Sequence, residues 1–182
     1  MRAFRCQVRL ALNDIDREVY AERVISLAQE PDEPDEHILL RFLAFVFFYD
    51  ERLADAGGWT HLAEPDLQAD NLIGDTTLVI ECGQPQRIKR LVRAVGRNKH
   101  ARVIALFADE QELTDFQRDW QAARPRDPKR LEIYRVSSSL MRSLEEIGSR
   151  SMQWQATLND GQLYLECDGQ MLQGHLIDVA SQ

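Results

Sequence analysis

Two carboxylates on either side of a hairpin are the residues whose types and spacing best suit chemistry. Asp66 precedes the first predicted hairpin strand and Glu81 ends the second, with the turn at Ile73 and Gly74. Residues whose numbers sum to 147 then lie opposite each other, so Asp66 faces Glu81 with Cβ atoms roughly 5 Å apart. A bulge at Gly74 would shift this register by one residue.

The carboxylate pair needs a compensating charge, because the strand that ends at Glu81 is predicted to be buried. Residues 77–80 are a continuous apolar run typical of a central strand, and two facing like charges there destabilise the sheet. Mg²⁺ suits this position because one or two carboxylates hold it together with waters and phosphate oxygens. The alternative is that one carboxylate lies at the solvent edge and pairs with a nearby arginine.

A basic segment follows the carboxylate pair directly. No acidic residue occurs from Cys82 to Ala108, in a chain whose net charge is −8. This local positive patch suits a phosphate backbone, and the ordinary alternative is a solvated helix face that balances acidic neighbours. The basic residues of the segment are Arg87, Lys89, Arg90, Arg93, Arg97, Lys99 and Arg102.

A third acidic candidate, Glu51, lies near the end of a predicted aromatic helix. Phe47 and Phe48 precede it by four and three residues, so it shares a helix face with apolar side chains. Its carboxylate either extends to solvent at the helix end or reaches a polar site.

The elements that must position these residues follow from the hydrophobic pattern. Strand and helix patterns alternate in the middle of the chain, with hairpins on either side, which predicts an α/β fold with a mixed sheet flanked by helices. Short connections favour one domain over 1–182. The predicted elements are a strand over 4–12, a helix from Asn13 or Asp14 to Gln29, a buried helix from Asp35 or Glu36 to Gly57–Gly58, hairpin strands over 67–72 and 76–81, a helix over 84–96, a strand over 101–107, a helix over 109–122, a strand over 131–136, a helix from Ser137 or Ser138 to Ile147, a hairpin of 151–158 and 162–167, and a strand over 170–179.

Composition narrows the class of protein. Among 182 residues, no apolar run approaches the roughly 20 that a bilayer span needs, and the start of the chain has no signal-peptide pattern. Three distant cysteines predict unbridged thiols and a reducing, cytoplasmic location. The excess of acidic residues argues against a protein that binds nucleic acid nonspecifically over its whole surface.

At these residues the sequence resembles the YaeQ family of small bacterial proteins. That family is similar to a variant of the PD-(D/E)XK restriction-endonuclease-like fold. The fold places an Asp and a Glu on adjacent strands, a Lys nearby, and often a Glu on a preceding helix. The resemblance covers essentially the whole chain and rests on residues 49–53, 64–67, 79–85, 87–89, 152–157 and 159–161.

The resemblance implies roles for particular residues. Asp66 and Glu81 are the two carboxylates that would hold Mg²⁺, and Glu51 is the helix glutamate. Gly83 stands where the motif has its lysine, so Lys89 on the next helix is the candidate replacement, with Gln84 as a weaker one. The residues expected to contact nucleic acid are Gln84, Arg87, Arg90, Arg93 and Lys99.

Three functions remain open from the sequence. The first is a Mg²⁺-dependent nuclease that hydrolyses DNA or RNA at Asp66, Glu81, Glu51 and Lys89. The second is a catalytically inactive nuclease-fold protein that binds nucleic acid or protein, which the missing motif lysine and the acidic surface favour. The third is a partner-binding regulator anchored by tryptophans. No membrane partner is expected, and the oligomeric state is left open.

Overall fold

The structure is a computed structural model that describes residues 3–59, 63–83, 88–97, 99–148 and 150–179. It divides into two compact units, of which unit 1 comprises residues 1–47 and 136–177, and unit 2 comprises residues 48–135 and 178–182. Each unit contains strands and helices, which confirms the α/β class. The single domain over 1–182 stays a prediction.

Ten strands and four helices follow one another along the described parts of the chain. They are β1 Phe4–Asp14, β2 Val19–Gln29, α1 Asp35–Phe47, β3 Ala54–Asp55, β4 Leu67–Asp70, β5 Thr76–Cys82, α2 Ile88–Arg97, β6 Arg102–Phe107, α3 Glu110–Ala123, β7 Leu131–Val136, α4 Ser138–Ile147, β8 Ser151–Asn159, β9 Gln162–Cys167 and β10 Gln170–Asp178. Among the described residues, no helix combines the length and the apolar character needed to cross a membrane.

Unit 1 is a mixed sheet with two helices. Its strands lie in the order β2-β1-β8-β9-β10, and only the β1–β8 pair is parallel. Alternate residues of β1 are buried, as the period-two pattern predicts. Helix α1 is buried along most of its length, and Phe42 meets Trp154 edge to face with ring centroids 6.1 Å apart.

The helix predicted up to Gln29 is wrong, because this segment forms the second strand of a hairpin. Strand β2 pairs with β1 along all eleven residues without an irregularity. The turn before it is set by Asp14, whose Oδ1 accepts from the Arg17 N–H at 3.0 Å, and by Glu18 with a left-handed φ of 56°. Helix α1 also ends earlier than predicted, at Phe47.

Unit 2 is a second mixed sheet with its own core. Its strands lie in the order β7-β6-β5-β4-β3; β5, β6 and β7 run parallel, whereas β4 is antiparallel to both β3 and β5. Helices α2 and α3 supply Leu91, Val95, Phe116 and Trp120 to this core. The helix predicted over 109–122 is confirmed as α3, which is capped by Asp109, whose side chain accepts from the Glu112 N–H.

All three cysteines are buried and unbridged, as the sequence predicts. Burial raises the pKa of the Cys6 and Cys167 thiols. Neither thiol is therefore activated as a nucleophile.

Candidate functional site

The hairpin of β4 and β5 brings the two predicted carboxylates together. The register in which opposite numbers sum to 147 holds from Leu67 to Ala69, as the sequence predicts. The irregularity lies between Ala69 and Asp70 rather than at Gly74. It is therefore at the turn end of the hairpin and leaves undisturbed the end where Asp66 and Glu81 lie.

Both carboxylates converge on one buried arginine. Asp66 and Glu81 are each 1% exposed and Arg90 is 5% exposed. The Arg90 Nη2 donates to Glu81 Oε2 and lies 3.7 Å from Asp66 Oδ1, while Nη1 donates to the carbonyl of Gly58 at 3.0 Å. Asp66 Oδ2 accepts from the Cys82 N–H at 2.8 Å. Asp66, Glu81 and Arg90 form what we call the Arg90 cluster.

The Arg90 cluster differs from both alternatives that the sequence left open. The compensating charge includes an arginine guanidinium, yet neither carboxylate lies at the solvent edge. Arg90, which is expected from the sequence to contact nucleic acid, is buried against Asp66 and Glu81. Its position on the first helix after the Glu81 strand identifies the helix but does not distinguish it from Lys89.

Gly58 allows the loop beneath the cluster to approach closely. A Cβ atom at this position would lie 2.5 Å from the Pro65 carbonyl carbon and 2.6 Å from the Asp66 nitrogen. Only glycine fits this contact without moving backbone. The same residue supplies the carbonyl oxygen that Arg90 Nη1 binds, so the loop fixes both the guanidinium and the start of β4.

One face of α2 forms the wall of a cleft next to the cluster. Arg90, Arg93 and Arg97 follow one another at helical spacings of three and four residues and share this face with Ala94. The cleft has a volume of about 170 Å³. Arg93 and Arg97 are exposed, so their guanidinium groups form an accessible cationic rim next to the buried guanidinium of Arg90. The opposite wall comprises Ala63, Glu64, Pro65, Gln68, Thr76, Val79 and Glu81.

The other predicted site residues do not all lie at this cleft. Lys89 is exposed, and the α2 residue that reaches both carboxylates is Arg90, one position and about 100° further around the helix. Glu51 is exposed in the turn that follows α1. Lys99 lines a different groove of unit 2. Gln84 and Arg87 lie outside the described residues.

Gly83 stands at the position where the resemblance to a nuclease fold would place a lysine, and its backbone conformation does not suit one. Its φ is 57°, a left-handed conformation that glycine adopts without the strain a lysine would incur. Its N–H donates to the Leu106 carbonyl at 2.7 Å. This hydrogen bond holds the backbone at the end of β5 against β6.

The residues at the cluster, as arranged, do not fit the Mg²⁺ that a nuclease fold implies. The guanidinium of Arg90 contacts both candidate ligands, so a divalent cation between them would meet a buried positive charge. Within the described ranges, no three His, Cys, Asp or Glu side chains are grouped as metal ligands. A metal site here requires Arg90 to leave the carboxylates.

Unit 1 contains a second buried charged cluster, which sequence reasoning missed. Glu33 Oε1 accepts from His37 Nδ1 at 2.6 Å and from Arg41 Nη1 at 2.8 Å, and Oε2 accepts from the Glu30 N–H at 3.1 Å. Burial alone raises the pKa of Glu33, but the His37 hydrogen bond and the Arg41 charge outweigh it and lower that pKa. The spacing of four residues between Glu33, His37 and Arg41 is the sequence pattern that could have indicated this cluster. We call Glu33, His37 and Arg41 the Glu33 cluster.

Comparison with known proteins places the chain in a family. The family model described as YaeQ protein matches residues 1–176. Uncharacterized protein YaeQ of Salmonella typhi is 30% identical over 154 residues, covering 84% of this chain and 82% of the relative. Uncharacterized protein YaeQ of Escherichia coli K12 is 29% identical over 167 residues, covering 90% and 88% respectively.

Solved structures share the fold. The crystal structure of YaeQ protein from Xanthomonas axonopodis pv. citri matches with a TM-score of 0.81 and 25% identity, covering 97% of this chain and 98% of that one. The crystal structure of YaeQ protein from Pseudomonas syringae matches with a TM-score of 0.82 and 24% identity, covering 97% and 96%. The fold of this chain is thus that of solved YaeQ proteins.

Proposed function

Since this chain belongs to the YaeQ family, we propose from its own geometry that it is a non-hydrolytic module that binds nucleic acid. The binding surface is the arginine face of α2 and the cleft beside it. The observation that supports this function is the placement of Arg93 and Arg97 on the same face as the fixed Arg90. Two accessible guanidinium groups beside a cleft suit the charge and the oxygen acceptors of a phosphate backbone.

The charge distribution confines an anionic ligand to the α2 face. The chain has a net charge of −8, yet the segment from Cys82 to Ala108 contains no acidic residue. Binding is therefore expected to be local and oriented, because the rest of an acidic surface repels phosphates. A ligand with regularly spaced phosphates is held at α2 and repelled elsewhere.

The Arg90 cluster is the reason for proposing binding without hydrolysis. Its guanidinium contacts both carboxylates that a nuclease would use for metal, and Lys89 is exposed on α2. In this proposal the cluster is structural, since it fixes α2 against β4 and β5 and sets the direction of Arg93 and Arg97. The PD-(D/E)XK relationship stays a prediction; the antiparallel β4–β5 pair and the parallel β5–β6 pair are compatible with it.

Fluorescence anisotropy with labelled single- and double-stranded DNA and RNA tests the proposal. The double variant Arg93→Ala/Arg97→Ala should weaken binding to all sequences about equally and reduce the slope of log affinity against log salt by about 2. The matched control Arg118→Ala/Arg142→Ala removes the same charge from exposed positions elsewhere and should leave the slope nearly unchanged. Absence of binding by the wild type at low salt would refute the proposed function.

A Mg²⁺-dependent nuclease is the second candidate, favoured by the convergence of Asp66 and Glu81. It is tested in the same assay by adding Mg²⁺ or Mn²⁺ and measuring cleavage, with calorimetry of Mn²⁺ binding. We expect neither cleavage nor metal binding that depends on Asp66. Cleavage by the wild type that is lost in Asp66→Ala and in Lys89→Ala would instead establish the nuclease, and would require Arg90 to move.

A further inference from the structure

The turn between β4 and β5 presents two aliphatic side chains to solvent on a rigid support. Leu72 is 88% exposed and Ile73 is 83% exposed. Asn71 Oδ1 accepts from the N–H groups of Ile73 at 3.0 Å and Asp75 at 2.9 Å, and the Asn71 N–H donates to the Asp75 carbonyl at 2.8 Å. These bonds order the turn in advance of any contact. We call residues 71–75 the tip.

The charge around the tip selects the kind of partner it fits. Asp70 and Asp75 flank Leu72 and Ile73, and no basic residue occurs from Leu67 to Glu81. Two carboxylates beside the apolar pair repel a phosphate backbone. The tip therefore fits an apolar depression with a basic rim rather than a nucleic acid.

Unit 2 also contains a depression of that kind. Val92, Val95 and Gly96 of α2 line a groove of about 710 Å³, which has ample room for two aliphatic side chains. A Cβ atom placed on Gly96 would meet nothing within 4 Å, so the floor is open at this point. The polar residues that line the groove are Lys99, Arg126, Asp127 and Arg130.

The rim of this groove is basic and its position is fixed. Arg130 Nη1 donates to the Val95 carbonyl at 2.6 Å, and Nη2 donates to the Ala101 carbonyl at 3.3 Å. Lys99 and Arg126 are exposed. Three cations against the single carboxylate of Asp127 leave an excess of positive charge, which is the complement of the two aspartates at the tip.

We infer that this protein associates with itself through insertion of the tip of one copy into the groove of a second copy. Leu72 and Ile73 cover the floor at Gly96, and Asp75 lies against Arg126 or Lys99. Insertion is reciprocal in this proposal, so that the tip of each copy occupies the groove of the other and the pair is closed. The association goes beyond nucleic-acid binding and needs no nucleic acid.

Sedimentation velocity of the full chain without nucleic acid, across a concentration series, tests the inference. The wild type should self-associate, and Leu72→Ser/Ile73→Ser should weaken association at least about tenfold. The matched control Tyr20→Ser/Val24→Ser removes two exposed apolar side chains from β2 and should leave association unchanged. Because all four residues are exposed, none of the substitutions should unfold the protein.

Substitution of Gly96 tests the groove. Gly96→Phe should block insertion and weaken association to the same degree, whereas Gly96→Ala should leave it unchanged because a single methyl group does not fill the groove. Gly96 lies on α2 without a positive φ, so both variants retain helical backbone.

A charge exchange tests the pairing between copies. Asp75→Lys and Arg126→Glu should each weaken association on their own. An equimolar mixture of the two variants should associate more tightly than either alone, since the lysine introduced in one copy then faces the glutamate introduced in the other. A wild type that stays monomeric up to about 1 mM, or association indifferent to the tip and groove variants, would refute the inference. Weakened nucleic-acid binding by the tip variant of a monomeric protein would also refute it and identify the tip as a wedge between bases.

Discussion

The two units each bury an arginine-containing charged cluster, and the clusters differ in how their charges are matched. In the Glu33 cluster, one carboxylate receives His37 and Arg41 from the same helix and a backbone N–H. In the Arg90 cluster, a single guanidinium serves two carboxylates from separate chain segments. The residues of the Glu33 cluster are close in sequence. The Arg90 cluster has two anions and one cation among its three residues, and it borders a cleft.

This difference separates a cluster confined to one chain segment from a cluster that positions the candidate binding surface. A buried ion pair is weak support for stability by itself, because desolvation offsets much of the attraction. The Glu33 carboxylate receives its donors from Glu30, His37 and Arg41, which are close to it in sequence. The Arg90 cluster joins a loop, two strands and a helix, and its two carboxylates lie behind a rim of arginines. Its geometry therefore controls the surface at which a ligand is proposed to bind.

The largest effect is expected from Arg90→Met, which leaves two buried carboxylates without their common partner. We expect a loss of about 4 kcal/mol in the free energy of unfolding, measured by urea denaturation at pH 7. Adding Glu81→Gln to Arg90→Met should recover part of this loss, since it removes one of the two buried negative charges. A loss below about 1 kcal/mol would show that the Arg90 cluster contributes little to stability.

A smaller loss is expected from Glu33→Gln in unit 1. The glutamine keeps the shape and one acceptor oxygen for His37 and Arg41, but its NH2 group cannot accept from the Glu30 N–H, so the charge and one hydrogen bond are lost. We expect the free energy of unfolding to fall by about 2 kcal/mol in the same urea assay. A loss larger than that of Arg90→Met would invert the comparison between the clusters.

Lowering the pH should remove the stabilisation that ionised Glu33 provides, because folding lowers the pKa of Glu33. A carboxyl group with a lowered folded pKa stabilises the protein above its unfolded value of about 4.5, and this contribution is lost as pH falls through the folded pKa. The difference in free energy of unfolding between the wild type and Glu33→Gln should therefore become smaller below pH 4.5. Urea denaturation from about pH 7 to pH 3 measures this difference. A gap that stays constant over this range would contradict the assignment.

The smallest effect is expected at an exposed ion pair of unit 2. Arg102 donates to both oxygens of Glu132, at 3.0 and 2.7 Å, with side chains 52% and 32% exposed. Arg102→Gln should cost less than about 1 kcal/mol of unfolding free energy and less still in high salt. A cost near that of Arg90→Met would mean that burial is not what makes the clusters important.

The part of the site that could be predicted from the sequence is the hairpin, because its pattern is local and regular. Hairpin numbering placed Asp66 opposite Glu81, because alternation and a tight turn fix the register over a few residues. It could not identify Arg90 as the partner, since Lys89 and Arg90 differ only by about 100° around α2. Which of them points inward depends on the direction in which α2 crosses the sheet, and that is set by tertiary packing.

The prediction failed for β2 for a related reason. Tyr20, Val24 and Leu27 fit a helical face, but Ile25 and Leu27 also fit the alternation of a strand. The pairing of all eleven residues with β1 decides between the two, and pairing is not visible in one segment alone. Glu51 was misplaced in the same way, because the end of α1 at Phe47 is not marked by a glycine.

The contact between Gly58 and the chain at Pro65 limits how the sequence can vary. A side chain of any size at position 58 would displace the backbone just before Asp66 and so move a carboxylate away from Arg90. In a saturation library of this chain selected for folding, position 58 should return glycine alone, while Gly96, which has no positive φ and where an added Cβ meets no atom within 4 Å, should accept other residues. The freedom of a position to mutate thus depends on how closely backbone approaches it, and the least variable residue of the site is one without a side chain.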